Sequence, residues 1–238
     1  MMKLRAPLLV TLGTLLLIGA CNRDIFDVSV NLAPHAYQAD FGAATGTIPT
    51  VTCSPDMVSV CAGQTLVATT NVGPADVSVD PGCDPTTKLC YAEAHARLSY
   101  EVDVLQDDDF VTKVAQHSAW IVQDVDLAYT VPTNTLTFAV PRIDVYVGPT
   151  GTKTESDPGA VLVDSVSMLA AGTTFVDQPR HLMVAAGSPA RALIVSSIEA
   201  KQAFAFVVVM TPRLEAGTPV PAGHVELDIA PTIGLGLE

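Results

Sequence analysis

The longest regular pattern in the chain is an alternation. Ala92, Ala94, Ala96, Leu98, Tyr100, Val102 and Val104 take every second position, and Glu93, His95, Arg97, Ser99, Glu101 and Asp103 stand between them. A period of two over that length predicts a long strand with one buried and one wet face. On the wet face, His95 is expected to pair with the flanking charges of Glu93 and Arg97. Val125, Leu127, Tyr129 and Val131 repeat the pattern within a strand over 120–131, and Pro132-Thr133-Asn134 reads as a tight connection after it. Leu136, Phe138 and Val140 then hold one phase, and Ile143, Val145 and Val147 the other. A slip of one residue at Pro141-Arg142 predicts a bulge, or two strands meeting at a corner. Residues 204–210 are apolar without a break, as in a strand buried on both faces. Val225, Leu227 and Ile229 alternate in a last strand expected to stop before Pro231. Shorter strands are predicted at 27–32, 57–60, 65–70, 75–79, 161–168, 173–176 and 181–185. The polar run 150–159 reads as an exposed loop, and 211–223 as a turn-rich connection.

Two helices interrupt this. Asp107-Asp108-Asp109 places acids where the unpaired N–H groups of a first turn favour them. Phe110, Val111, Val114 and Ala115 would then face the core, to about residue 118. A calcium loop would need acids at alternate positions, a central glycine and a closing glutamate, and none follows. Ser188-Pro189 is a cap followed by proline in the first turn. Ala190, Ile194 and Ile198 share the inner face of that helix, which runs to about residue 202. The fold class expected is mainly β: an antiparallel β-sandwich with one or two short helices.

The start of the chain departs from this pattern. Lys3 and Arg5 give a positive head, and residues 7–20 are apolar apart from Thr11 and Thr14. That run, of about 14 residues, is too short to cross a bilayer comfortably and suits a secretory signal. It ends in Ile18-Gly19-Ala20-Cys21, which resembles the lipobox of bacterial lipoproteins. The resemblance implies cleavage before Cys21, a thioether lipid on its sulfur and N-acylation. At roughly 0.8 kcal/mol per buried methylene, several acyl chains hold a protein on a membrane almost permanently. Asn22, where an aspartate would signal inner-membrane retention, leans the localisation toward the outer membrane. The chain thus divides into a signal peptide (1–20), a lipidated N-terminus and tether carrying one docked strand (21–50), a loop-rich cysteine-bearing segment (51–91) and a β-sandwich domain (92–238).

Charge and cysteines fit an exported protein. Removing residues 1–20 takes away two of 12 basic residues and none of 25 acids, moving the net charge from −13 to −15. Such a surface repels nucleic acid and anionic lipid. The acyl chains on Cys21 are then the membrane partner, and the remaining partner is an envelope protein. With Cys21 lipidated, Cys53, Cys61, Cys83 and Cys90 form an even set that reads as two disulfides. Short loops favour the local pairing Cys53–Cys61 and Cys83–Cys90. A four-thiolate zinc site lacks its usual close cysteine pairs.

Residues 120–231 are similar in element order to the type-2 late-embryogenesis-abundant (WHy) domain. The likeness rests on a strand pair joined through Asn134, an outer strand with a glycine loop, one helix, and closing strands at 203–210 and Gly223-His224-Val225-Glu226-Leu227. It implies a small β-sandwich associated with water stress and brings no catalytic residues. The Asn-Pro usual in that family after its first strand is replaced by Pro132-Thr133-Asn134. No Gly-x-Ser-x-Gly elbow, His-Glu-x-x-His or phosphate loop occurs. His35, His95, His117, His181 and His224 lack ligand spacing. No cofactor, metal or catalytic residue is expected. The function expected is a non-enzymatic, anchored envelope lipoprotein with a structural or protein-binding role. The alternative is a carrier or sensor of an apolar ligand or lipid between the sheets, lined by 92–104 and 204–210. A calcium-dependent adhesion module ranks third.

Overall fold

The computed structural model describes residues 28–41, 47–54, 61, 76–115, 120–219 and 221–236. Among them, two antiparallel sheets face one another across a single main core. One sheet holds five strands: β1 (Val28–Asn31), β2 (His35–Asp40), β5 (Ile121–Asn134), β8 (Phe175–Leu182) and β11 (His224–Gly236). β11 is central, with β5 on one side and β2 followed by β1 on the other. The second sheet holds β3 (Asp76–Cys83), β4 (Cys90–Val102), β6 (Val140–Pro149), β7 (Val161–Leu169), β9 (Phe204–Met210) and β10 (Arg213–Glu215). Helix α1 (Asp108–Ala115) packs on β1, and α2 (Pro189–Glu199) packs against β5, β6 and β7, bridging the two sheets.

The alternating segments behave as their period requires. Ala92, Ala94, Ala96, Leu98 and Val102 of β4 are buried, while Tyr100 is 39% exposed. All seven residues of β9 are buried. Phe204, Phe206, Val208 and Met210 enter the main core, and Ala205, Val207 and Val209 fill the opposite face. Ser188 caps α2 by accepting from the Arg191 N–H, and Ala190, Ile194 and Ile198 are its buried stripe. The apolar slip at Pro141-Arg142 is neither a bulge nor a corner: both residues are exposed inside β6, whose register with β7 runs unbroken from Val140 to Val145. Val140 and Ile143 are both buried, and the chain crosses from the sheet of β5 to the sheet of β6 earlier, over 135–139.

Several expectations are corrected. Pro132 and Pro231 do not end their strands. Opposite Leu227, β5 places both Val131 and Pro132, so the first proline sits in a bulge. Pro231 lies where the neighbouring edge changes from β2 to β1. Its carbonyl accepts from the Leu32 N–H in that gap, and its missing donor meets no strand. Because β5 and β6 belong to different sheets, they are not a hairpin joined through Asn134. The strands expected at 173–176 and 181–185 are one strand, β8. Its register slips where 176–179 stand against Thr130 alone. Val111, expected in the core, is 42% exposed. Residues 28–40, expected in the tether, supply two strands of the first sheet. Tyr37 and Ala39 turn inward from β2 while Ala36, Gln38 and Asp40 stay exposed. The alternation His35-Ala36-Tyr37-Gln38-Ala39-Asp40 is short and built on small residues, which hides it among loop signals. The strands expected at 57–60 and 65–70 lie outside the described residues.

Candidate functional site

The cysteine cluster is set by strand register. Cys83 and Cys90 stand opposite one another on the β3–β4 hairpin. The incoming segment lies beside that hairpin: the Cys53 N–H donates to the Lys88 carbonyl and the Cys90 N–H to the Val51 carbonyl. Each hairpin cysteine then reaches back to this segment. Cys53 bonds Cys83 and Cys61 bonds Cys90, with Cα separations of 5.8 and 5.5 Å. The expected local pairing is therefore replaced by two long, interleaved links. Sulfurs of Cys53, Cys61 and Cys90 lie within 4.8 Å of one another because the two disulfides are neighbours, and in this state none is a thiolate. Cys21 lies outside the described residues.

The three aspartates at 107–109 do what a helix start requires. Asp107 accepts from the Phe110 N–H at 2.9 Å and from the Ala33 N–H at 3.0 Å. Asp109 accepts from Lys113 at 2.8 Å and from the Asn31 N–H at 3.1 Å. The Lys113 contact, then the Asn31 N–H, hold the Asp109 carboxyl below its usual range. These side chains fasten α1 to β1, a link between distant parts of the chain that composition does not reveal.

Three of the four described histidines pair with or stack on another side chain, and His224 is held through its backbone, its N–H donating to Thr135 Oγ1 at 2.8 Å. His181 Nδ1 is 2.9 Å from both oxygens of Asp126, and His35 stacks on Tyr100. His95 pairs with Asp80 of the adjacent strand at 3.2 Å, not with Glu93 or Arg97 as expected. Arg97 is taken by Glu155 of the 150–159 loop, which folds over this face of β4 and buries Thr152. Thr211 Oγ1 lies 3.5 Å from His95 Nδ1, so Asp80, His95 and Thr211 fall in line. The last contact is at the limit of hydrogen bonding, and the Asp80 side chain is 71% exposed. His117 lies outside the described residues.

Two of the surface clefts are lined wholly by described residues. One, of about 90 Å³, lies at an end of the sandwich between β2 and β4. The other, of about 120 Å³, lies beside Glu101, Gly151 and Lys153. Both are below the roughly 300 Å³ at which small-molecule pockets begin. Between the sheets, Leu127, Ile143, Phe204, Phe206, Ile229 and Ile233 are each under 2% exposed. The face of β4 and β9 expected to line a lipid cavity is thus packed solid. Among the described residues, no helix is long and apolar enough to cross a membrane, which leaves strands unaddressed.

One polar group on the five-stranded sheet is poorly placed. Asp228 alternates with buried Leu227 and Ile229, and its Oδ1 is buried with no hydrogen-bond partner among the described residues. Burial, and then the neighbouring Glu226 charge, push its carboxyl above the usual range. The folded state therefore holds this proton more tightly than the unfolded chain does. Ionisation costs stability above the raised value and nothing below the unfolded value of 3.8. Asp228→Asn is expected to raise the melting temperature at about pH 7, with the gain fading toward about pH 3.5. Paired melts at the two pH values test this, and unchanged melting at the higher pH contradicts it.

No protein-family profile, curated protein or solved structure matches the chain.

Proposed function

We propose that this is a lipid-anchored protein of the cell envelope, held by acyl chains on Cys21, with a structural or protein-binding role and no catalysis of its own. Its placement is supported by the charged head, the short apolar run and the Ile18-Gly19-Ala20-Cys21 lipobox. Two disulfides in a chain of this kind suit an oxidising compartment. Asn22 favours the outer membrane. The first paired strand begins at Val28, seven residues past Cys21, so full extension gives a reach of at most about 25 Å. The body is held close to the bilayer and not on a long stalk.

The binding role rests on one observation. β7 and β8 are edge strands of opposite sheets, tied where the Met183 N–H donates to Asp164. Along them Leu162, Met168 and Val176 are 41%, 64% and 54% exposed, and Met183, just past the end of β8, is 71% exposed. Apolar side chains on open strand edges favour association with another protein. Against catalysis stands the Asp80–His95–Thr211 line, which faces neither cleft and has its carboxylate in solvent.

Membrane fractionation of intact cells tests the anchor. The native protein is expected to sediment with membranes and Cys21→Ser to move into the soluble fraction. A variant that stays with the membranes, or a mature terminus without acyl chains by mass spectrometry, contradicts the proposal. Photo-crosslinkers at Met168 and Met183 test the edge, with exposed Leu105 as the control position. A discrete adduct at the first two sites alone is expected.

A further inference from the structure

The small cleft at the end of the sandwich has a chemistry that neither packing nor anchoring requires. It lies where β2 passes over β4. His35 stacks face to face on Tyr100, with ring centres 3.4 Å apart and planes 10° from parallel. Tyr37 meets the His35 ring edge-on at 5.1 Å. Phe206, Ile229 and Pro231 complete the apolar wall. Tyr37 is only 3% exposed and lines the cleft.

Asp103 and Asp107 form the polar lip, and among the described residues no lysine or arginine lines the site. Their carboxylates are fixed in place. Asp103 accepts from the Leu105 N–H and the Gln106 side-chain amide, each at 3.0 Å, and Asp107 accepts from Phe110 and Ala33 as described above. Lone pairs aimed at those N–H groups are poorly set to wrap a bare metal ion, yet the negative charge remains. Burial pushes the proton off His35, so the stacked imidazole supplies no counter-charge. Aromatic faces beside uncompensated carboxylates favour a cation with an apolar surface. A neutral apolar guest would cover both carboxylates without compensation. At about 90 Å³ the cleft admits a group of a few heavy atoms and excludes an acyl chain.

We propose that this cleft binds a methylated ammonium group, contributed by a free amine or by a phosphocholine headgroup. The aromatic rings supply the cation–π attraction, and Asp103 and Asp107 supply the field. The site is independent of the anchor and of the β7–β8 edge.

Titration of the purified protein with choline, followed by chemical-shift changes, tests it against 3,3-dimethylbutan-1-ol, the uncharged isostere. Choline is expected to bind at least about ten-fold more tightly, with shifts centred on His35, Tyr37 and Tyr100. Tyr100→Leu removes the outer ring at a partly exposed position and is expected to weaken choline at least about ten-fold. Asp103→Asn keeps a capping oxygen and removes the charge; it is expected to weaken choline and leave the alcohol unchanged. Dodecylphosphocholine separates the sources: tighter binding than choline assigns a lipid headgroup, and weaker binding a free amine. Equal affinity for choline and the alcohol overturns the proposal. So does the absence of choline-induced shifts in this cleft of the native protein, a result that needs no variant to fold.

Discussion

Replacing Cys61 and Cys90 together by alanine is expected to cost about 3–4 kcal/mol of folding stability, measured by urea unfolding. The link spans 29 residues and its neighbour Cys53–Cys83 spans 30. Closing loops of that size removes about 3.6 kcal/mol of unfolded-chain entropy each on the chain-entropy account. The loops interleave, so opening both is expected to cost less than twice the single loss. The local alternative, Cys53–Cys61 and Cys83–Cys90, would span only eight and seven residues, worth about 2.4 kcal/mol each. Both sulfurs of the Cys61–Cys90 link are buried, at 4% and 7% residue exposure, and alanine leaves no polar atom there. A loss under about 1 kcal/mol contradicts the prediction. The pairing itself can be read by mass. Cleavage before Asp40, Asp56, Asp76, Asp80 and Asp84 puts each of the four cysteines on its own peptide. Unreduced peptide 40–55 is expected to be joined to 80–83, and the peptide that starts at Asp56 to the one that starts at Asp84.

Why the cysteine pairing escaped the sequence while the strands did not is a matter of range. The period of β4, the continuous burial of β9 and the capped stripe of α2 are local. Each is written in 13 residues or fewer, and each is where the periodicity places it. The disulfides depend on Val51–Cys90 and Cys53–Lys88 backbone bonds, which bring a separate segment beside the hairpin. Sequence distance favours short loops and is silent about such a neighbour. Pro132 and Pro231 mislead for a related reason. A proline ends a strand only if a partner needs its missing N–H. One sits in a bulge and the other faces a gap between two edge strands, and both facts belong to other parts of the chain. The ammonium cleft is less legible still. His35 and Tyr37 come from a segment that reads as tether, Tyr100 from the middle of an alternation, and Phe206 from a buried run. Only the crossing of β2 over β4 makes them one site.

Gly223→Ala is expected to destabilise the protein by at least about 3 kcal/mol, against about 1 kcal/mol for the control Gly172→Ala. Both glycines have positive φ, +105° and +67°, so both substitutions incur the left-handed penalty of an L side chain. They differ in what a methyl group would meet. At Gly172 nothing lies within 4 Å. At Gly223 the new carbon would fall 2.2 Å from the Thr135 carbonyl oxygen and 2.6 Å from its carbon, both backbone atoms. Relief requires the 135–137 segment to move. That segment is held on both sides of the glycine: Thr135 donates to the His224 carbonyl at 2.7 Å and Thr137 to the Ala222 carbonyl at 3.0 Å. The Gly223 carbonyl also accepts from the Phe41 N–H at 2.8 Å, closing the end of β2. A shift there disturbs the entry into β11, the central strand of its sheet, and the loss should appear in a slower approach to the folded baseline as well as in the midpoint. If the two variants unfold at the same urea concentration, the backbone at 135–137 yields freely and the close approach at Gly223 carries no cost beyond its φ.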